Sequence, residues 1–209
     1  MLTVQEVFAK WPSLSEKFDH GNLQVSMAAA ENLCAYAVKR LLSVVNDHRV
    51  PSSSIYVGHS GGKDSVVAHY IAQFAFGNNL PVLHTVKLPT EKNAPHPKTV
   101  QFMYELAAKH DVRFLPLDID QTRLGFSLQI DGTRALEAER SDGRSTDLVF
   151  DGVTINRKNM QTFNPCGLFG NAFVYPIYDW TDTQVWATIF ALDLPFSEEY
   201  LEVEWKAES

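Results

Sequence analysis

The residues best suited to chemistry are Ser60-Gly61-Gly62-Lys63-Asp64-Ser65, which follow the apolar run Ile55-Tyr56-Val57. Two glycines let main-chain N–H groups close around an anion. Lys63 offers a cation, Ser60 and Ser65 offer hydroxyls, and a helix opening near Asp64 aims its positive end at the same point. A strand, a glycine loop and a helix in that order hold phosphate. The spacing excludes a Walker A loop, because Val57 stands where its first glycine belongs and Asp64 where Ser or Thr must follow the lysine. It excludes GxGxxG as well.

The six residues match the SGGxDS signature of the PP-loop, or ATP pyrophosphatase, superfamily at every fixed position. That resemblance implies a loop cradling the β- and γ-phosphates of ATP, cleavage of the α–β bond, and Mg2+ as a companion ion. Lys63, Asp64 and Arg134 are then the expected catalytic residues, with Asp64 also a candidate Mg2+ ligand.

Two further segments resemble the phosphoadenosine phosphosulfate (PAPS) reductase-like branch. Gly132-Thr133-Arg134 to Glu137 and Arg140 resembles its G-x-R-x-x-E-x-x-R stretch, with Arg144 close by. Pro176-Ile177-Tyr178-Asp179-Trp180-Thr181 with Val185-Trp186 resembles its P-I-x-D-W segment, and Leu194-Pro195-Phe196 with Tyr200 continues the match. The expected nucleotide-binding set is Ser60, Gly61, Gly62, Lys63, Asp64, Ser65, Arg134, Glu137, Arg140, Asp179 and Trp180. The bland alternative makes Arg134 and Arg140 part of a solvated loop paired with Glu137 and Glu139. It makes Asp179 a residue before a helix cap, and Trp180 and Trp186 core aromatics.

The resemblance breaks in two places. Sulfonucleotide reductases attack with a cysteine near the C-terminus, whereas no cysteine follows Cys166, which precedes the Asp179-Trp180 segment. After the second strand the run Leu83-His84-Thr85-Val86-Lys87 lacks the acidic residue many members carry, leaving His84 as a polar group or a buried core histidine. Three readings follow: an adenylyl-transferring enzyme, a sulfonucleotide-binding relative without its catalytic cysteine, or a nucleotide-binding subunit or sensor. The acceptor stays open among sulfate, a flavin nucleotide and a nucleobase or nucleic-acid group.

These residues need a scaffold. Apolar positions at three- and four-residue steps predict an amphipathic helix over 23–46, able to serve a core or a dimer. Strands are expected at 55–57, 81–86, 113–117 and 128–130, and helices from Ser65 to Gly77 and over 98–110, with a short one near Gln121. Residues 131–172 lose periodicity. An extended run at 174–178 and a helix at 181–192, capped by Thr181, close the pattern. The order β-α-β-α-β predicts an α/β fold: one doubly wound domain, its mainly parallel sheet flanked by helices. Residues 1–50 form an N-terminal helical segment, 51–200 the nucleotide-binding core, and 201–209 an acidic, solvated tail.

The 209 residues, 45% hydrophobic, suit one domain. A net charge of −7 argues against coating nucleic acid, while a local pocket for a small anion stays compatible. Two distant cysteines exclude a disulfide framework and a four-thiolate metal site. The N-terminus lacks a secretory pattern and no run suits a membrane span, so a cytoplasmic protein is expected. The expected partners are an adenine nucleotide and either a partner protein or a second copy.

Overall fold

The computed structural model describes residues 2–86, 96–116, 126–134, 147–150, 153–156, 163–164 and 172–202. The chain enters through α1 (Val4–Lys10), held by a Thr3–Glu6 capping box, and a 3-10 turn (Pro12–Lys17). The long helix α2 (His20–Asp47) begins three residues earlier than its apolar pattern, because the Asp19 carboxylate caps the Asn22 N–H.

The centre is a sheet of β1 (Ile55–Gly58), β2 (Val82–Val86), β3 (Val112–Pro116) and β4 (Leu128–Ile130). The short β7 (Phe163–Asn164) and β8 (Ala172–Val174) complete it in the order β3-β2-β1-β4-β8-β7. Five of the strands run parallel, and β7 pairs antiparallel with β8 at the edge. The chain leaves β1 toward β2 on one side and later returns to β4 on the other. The crevice at the carboxyl end of β1 is therefore the switch point where open α/β sheets bind ligands.

Helices α3 (Lys63–Phe76) and α4 (Pro97–Ala107) connect β1 to β2 and β2 to β3, and α5 (Asp182–Ala191) follows the last strand. Ile55 and Val57 join Ile71, Val82, Leu128, Ile130 and Val174 in the main core with α2 and α5. Tyr56, one residue out of phase, turns to the opposite face with Leu83 and Phe126.

The stretch expected to be irregular, 131–172, includes strands among its described residues. It contains an antiparallel pair, β5 (Asp147–Phe150) with β6 (Val153–Asn156), besides β7. The strand expected over 174–178 ends at Val174. Pro176 has no N–H for a ladder, and the chain turns, with Tyr178 N–H on the Tyr175 carbonyl and Trp180 N–H on that of Ile177. The expected helix near Gln121 lies outside the described residues. The expected core ends in a folded 3-10 turn (Glu198–Leu201), in which Glu199 is buried, and the expected tail beyond residue 202 lies outside the described residues. No helix among the described residues is long and apolar enough to cross a membrane.

Candidate functional site: a phosphate loop between two helix starts

The chain leaves β1 at Gly58, runs through His59 to Gly62, and enters α3 at Lys63. Gly61 adopts φ +87°, a conformation that side chains resist. A Cβ at Gly132 would lie 2.6 Å from the Asp64 carbonyl carbon and 2.8 Å from the Ser65 nitrogen, so only glycine lets the β4 loop lie against the start of α3. That approach delivers Arg134. Asp131 sets the loop by accepting from the Thr133 N–H at 2.8 Å and its hydroxyl at 2.5 Å.

The N–H groups of Ser60 to Lys63 have partners within the chain. Ser60 N–H donates to Ser65 Oγ (3.2 Å), Gly61 N–H to His59 Nδ1 (3.0 Å), Gly62 N–H to Ser60 Oγ (3.3 Å) and Lys63 N–H to Tyr200 Oη (3.1 Å). These acceptors are neutral. An anion can take the donors over, gaining charge-assisted hydrogen bonds about twice as strong as neutral ones.

Behind the loop lies a group of histidines. Accepting from Gly61 fixes the His59 proton on Nε2, and His84 Nδ1–H donates to the His59 carbonyl at 2.7 Å. The His59 and His69 rings meet edge to face at 5.6 Å, and those of His69 and His110 at 5.0 Å. Burial, reinforced by neighbouring histidines, holds His59 well below its ordinary value and His69 at about 4. Burial also lowers His84, despite its bond to the carbonyl. All three are neutral near pH 7, and His84 is a buried group bracing the loop.

Two buried cations face the loop. Lys63 Nζ lies 3.2 Å from Asp64 Oδ2 and 3.1 Å from Asp182 Oδ1. Burial works to lower the Lys63 ammonium, yet Asp64 and Asp182, with Tyr200, outweigh it and raise it above its ordinary value. Arg134 spreads its guanidinium over three partners. Nε lies 2.8 Å from Asp64 Oδ1, one terminal nitrogen 2.9 Å from Asp182 Oδ1, and the other donates to the Trp180 carbonyl at 3.1 Å. Two helix starts thus converge, with Lys63 in the first turn of α3 and Asp182 in that of α5, which Thr181 caps in a box with Gln184.

The structure brings together Ser60 to Ser65 and Arg134, and adds the backbone of Trp180. The Trp180 ring sits in the main core, as does Trp186. Asp179 goes elsewhere: its carboxylate makes a two-pronged pair with Arg40 of α2, both contacts at 2.8 Å. Asp64 does not fit as a Mg2+ ligand in this arrangement, since one oxygen faces Arg134 and the other Lys63. Among the described residues no group of three or more His, Cys, Asp or Glu side chains is placed to hold a metal. Glu137, Arg140, Arg144 and Cys166 lie outside the described residues.

Sequence reasoning missed Asp182 as a site residue, and the roles of His59, Asp131 and Tyr200 within the loop. The Thr181 cap was a usable signal for Asp182, since it puts that carboxylate at a helix start. The sequence match reached Tyr200 but gave no sign of its partner, which is 137 residues away.

A family model described as NAD synthase matches residues 20–145, which span the phosphate loop and Arg134. A search among curated proteins finds no sequence match. Among solved structures the chain is similar to FMN adenylyltransferase from Candida glabrata in complex with ATP. The TM-score is 0.59 at 13% identity, covering 96% of this chain and 68% of that one. It is also similar to phosphoadenylyl-sulfate reductase from Candida auris in a phosphate complex, with a TM-score of 0.50 at 13% identity, covering 82% and 89%. The expected fold agrees with these likenesses, and the chain belongs to the NAD synthase family of PP-loop proteins.

Proposed function

We propose that the chain binds ATP with its β- and γ-phosphates on loop 60–65, cleaves the α–β bond and transfers the adenylyl group to an acceptor. The observation that carries this reading is the pairing of two buried cations, Lys63 and Arg134, over a loop of convergent N–H groups at the switch point of the sheet. In this state the cations are matched by Asp64 and Asp182. A polyphosphate would take Lys63 from Asp182, whose half-exposed side chain also pairs with Arg134.

The acceptor atom attacks the α-phosphorus, the bond to the bridging oxygen breaks, and its electron pair leaves with pyrophosphate. Lys63 and the loop N–H groups neutralise the charge that grows on that leaving group. Arg134, one element away, is placed to hold the α-phosphate or the acceptor. Asp64 braces both cations. Glu137 and Arg140 are assigned to the nucleotide in the same proposal.

A PAPS-binding reading keeps the same phosphate contacts but requires a thiol for reduction. Cys34, the free cysteine among the described residues, does not supply it. Burial pushes its thiol up to about 12, with Glu31 adding to the effect and a bond to Thr188 opposing it.

The test is incubation with magnesium and α-labelled ATP, with and without sulfate, a flavin nucleotide or a nucleic acid, beside Lys63→Ala. Pyrophosphate with a labelled adenylate, reduced at least about a hundredfold in the variant, is expected. PAPS binding without ATP binding would replace this reading with the sulfonucleotide one.

A further inference from the structure

The segment from Ser197 to Glu202 crosses the phosphate loop. Lys63 is the first residue of α3, so its N–H has no acceptor within the helix and is one of the donors an anion would take. Tyr200 Oη takes it, at 3.1 Å. The same oxygen lies 3.3 Å from where a Cβ at Gly62 would stand, over the outer side of the glycine pair. The ring meets Trp186 edge to face at 5.2 Å, and Lys63 Nζ lies 5.9 Å from its centroid.

The rest of the segment is moored away from the loop. Lys17 Nζ donates to the Tyr200 carbonyl at 2.9 Å, and Lys98 Nζ lies 2.9 Å from Glu202. His96 also reaches Glu202, and the Thr99 hydroxyl donates to the buried Glu199 carboxylate. Three of these moorings stand at the start of α4, where the Thr99 methyl fills the space a Cβ at Gly61 would need. The first turn of α4 therefore touches both the loop and the strap across it.

We propose that Tyr200 is an internal occupant of the phosphate site, which a polyphosphate displaces, so that nucleotide binding loosens the 197–202 segment. This rests on the phosphate role proposed for loop 60–65. The exchange has a clear direction. Burial raises the phenol to about 12, so Tyr200 competes as a neutral acceptor, and a phosphate oxygen makes the stronger, charge-assisted bond. A polyphosphate with several oxygens recovers what the displaced hydroxyl gave up, and a small anion recovers less. The strap thus favours polyphosphate over orthophosphate.

Tyr200→Phe keeps the ring against Trp186 and removes only the competing oxygen. Calorimetric titration with MgATP and with inorganic tripolyphosphate should give dissociation constants about fivefold lower in the variant, the worth of one neutral hydrogen bond. In the unaltered protein, MgATP should accelerate amide exchange across 197–202, a readout independent of the variant's folding. Equal affinity in both proteins would overturn the occupancy and leave nucleotide binding standing. Weaker binding by the variant would make Tyr200 a ligand contact and overturn it too, as would slowed exchange across the segment. Binding of neither ligand by either protein would overturn this inference together with the proposed function.

Discussion

Two arginine–aspartate pairs flank residues 176–182, and they do different things. Arg40 meets Asp179 through both oxygens, donates to the Pro176 carbonyl at 3.0 Å, and lies between the rings of Tyr36 and Tyr178. It staples the turn to α2. Arg134 meets Asp182, but it also holds Asp64 and the Trp180 carbonyl. A guanidinium committed through both terminal nitrogens to one carboxylate is a fixed joint. One divided among three partners beside a phosphate loop can exchange a partner for a ligand. The difference lies in address: Arg40 projects from a scaffold helix, whereas Arg134 follows a central strand that ends at the switch point.

The largest expected effect comes from removing Arg134. Arg134→Ala leaves two carboxylates facing a site that has lost half its positive charge. A loss of about 3–5 kcal/mol in unfolding stability is expected, together with loss of ATP binding, by denaturant titration and calorimetry. A loss below about 1 kcal/mol would erase the distinction between the pairs.

Acid should separate the two regions next. Unfolded histidine titrates near 6.5, and His59 and His69 titrate lower in the fold, so the unfolded chain binds more protons as pH falls. Both contributions are whole above about pH 6.5 and are lost as pH falls; that of His69 drains toward about pH 4, by an amount on the order of 3 kcal/mol. Thermal unfolding from pH 7.5 to 4.5 should show the decline, and His69→Phe should flatten it. Asp179 is affected later. Arg40 holds its carboxyl below the usual value, so that pair's contribution is present above about pH 4 and is lost as pH falls through the lowered value.

The smallest effect belongs to Asp179→Asn. Its side chain is 45% exposed, so the pair is worth about 0.5–1 kcal/mol, and ATP affinity should stay within twofold. A tenfold loss of affinity would return Asp179 to the nucleotide.

The PP-loop signature was legible in the sequence because its parts are consecutive: six residues supply the turn, the hydroxyls and the cation. The parallel sheet was legible for a similar reason, since apolar runs such as Val82–Val86 alternate with helical periods. What escaped was long-range. Asp179 and Asp182 lie three residues apart, and nothing in D-W-T-D says which faces the loop. The answer depends on where the chain turns after Val174 and on where Arg40 waits, 139 residues away from Asp179. Tyr200 escaped in the same way. The pair β5–β6 escaped because short strands in a polar stretch give periodicity little to count.

One measurement bears most directly on the claim that Arg134, and not its neighbour pair, makes the site. MgATP is titrated into the unaltered protein, Arg134→Gln and Arg40→Gln, each first shown to be folded by thermal unfolding. The expected result is at least about a hundredfold weaker binding for Arg134→Gln, as for loss of a buried charge-assisted contact, and binding within twofold for Arg40→Gln. Equal losses in both variants, or none in Arg134→Gln, would contradict the account.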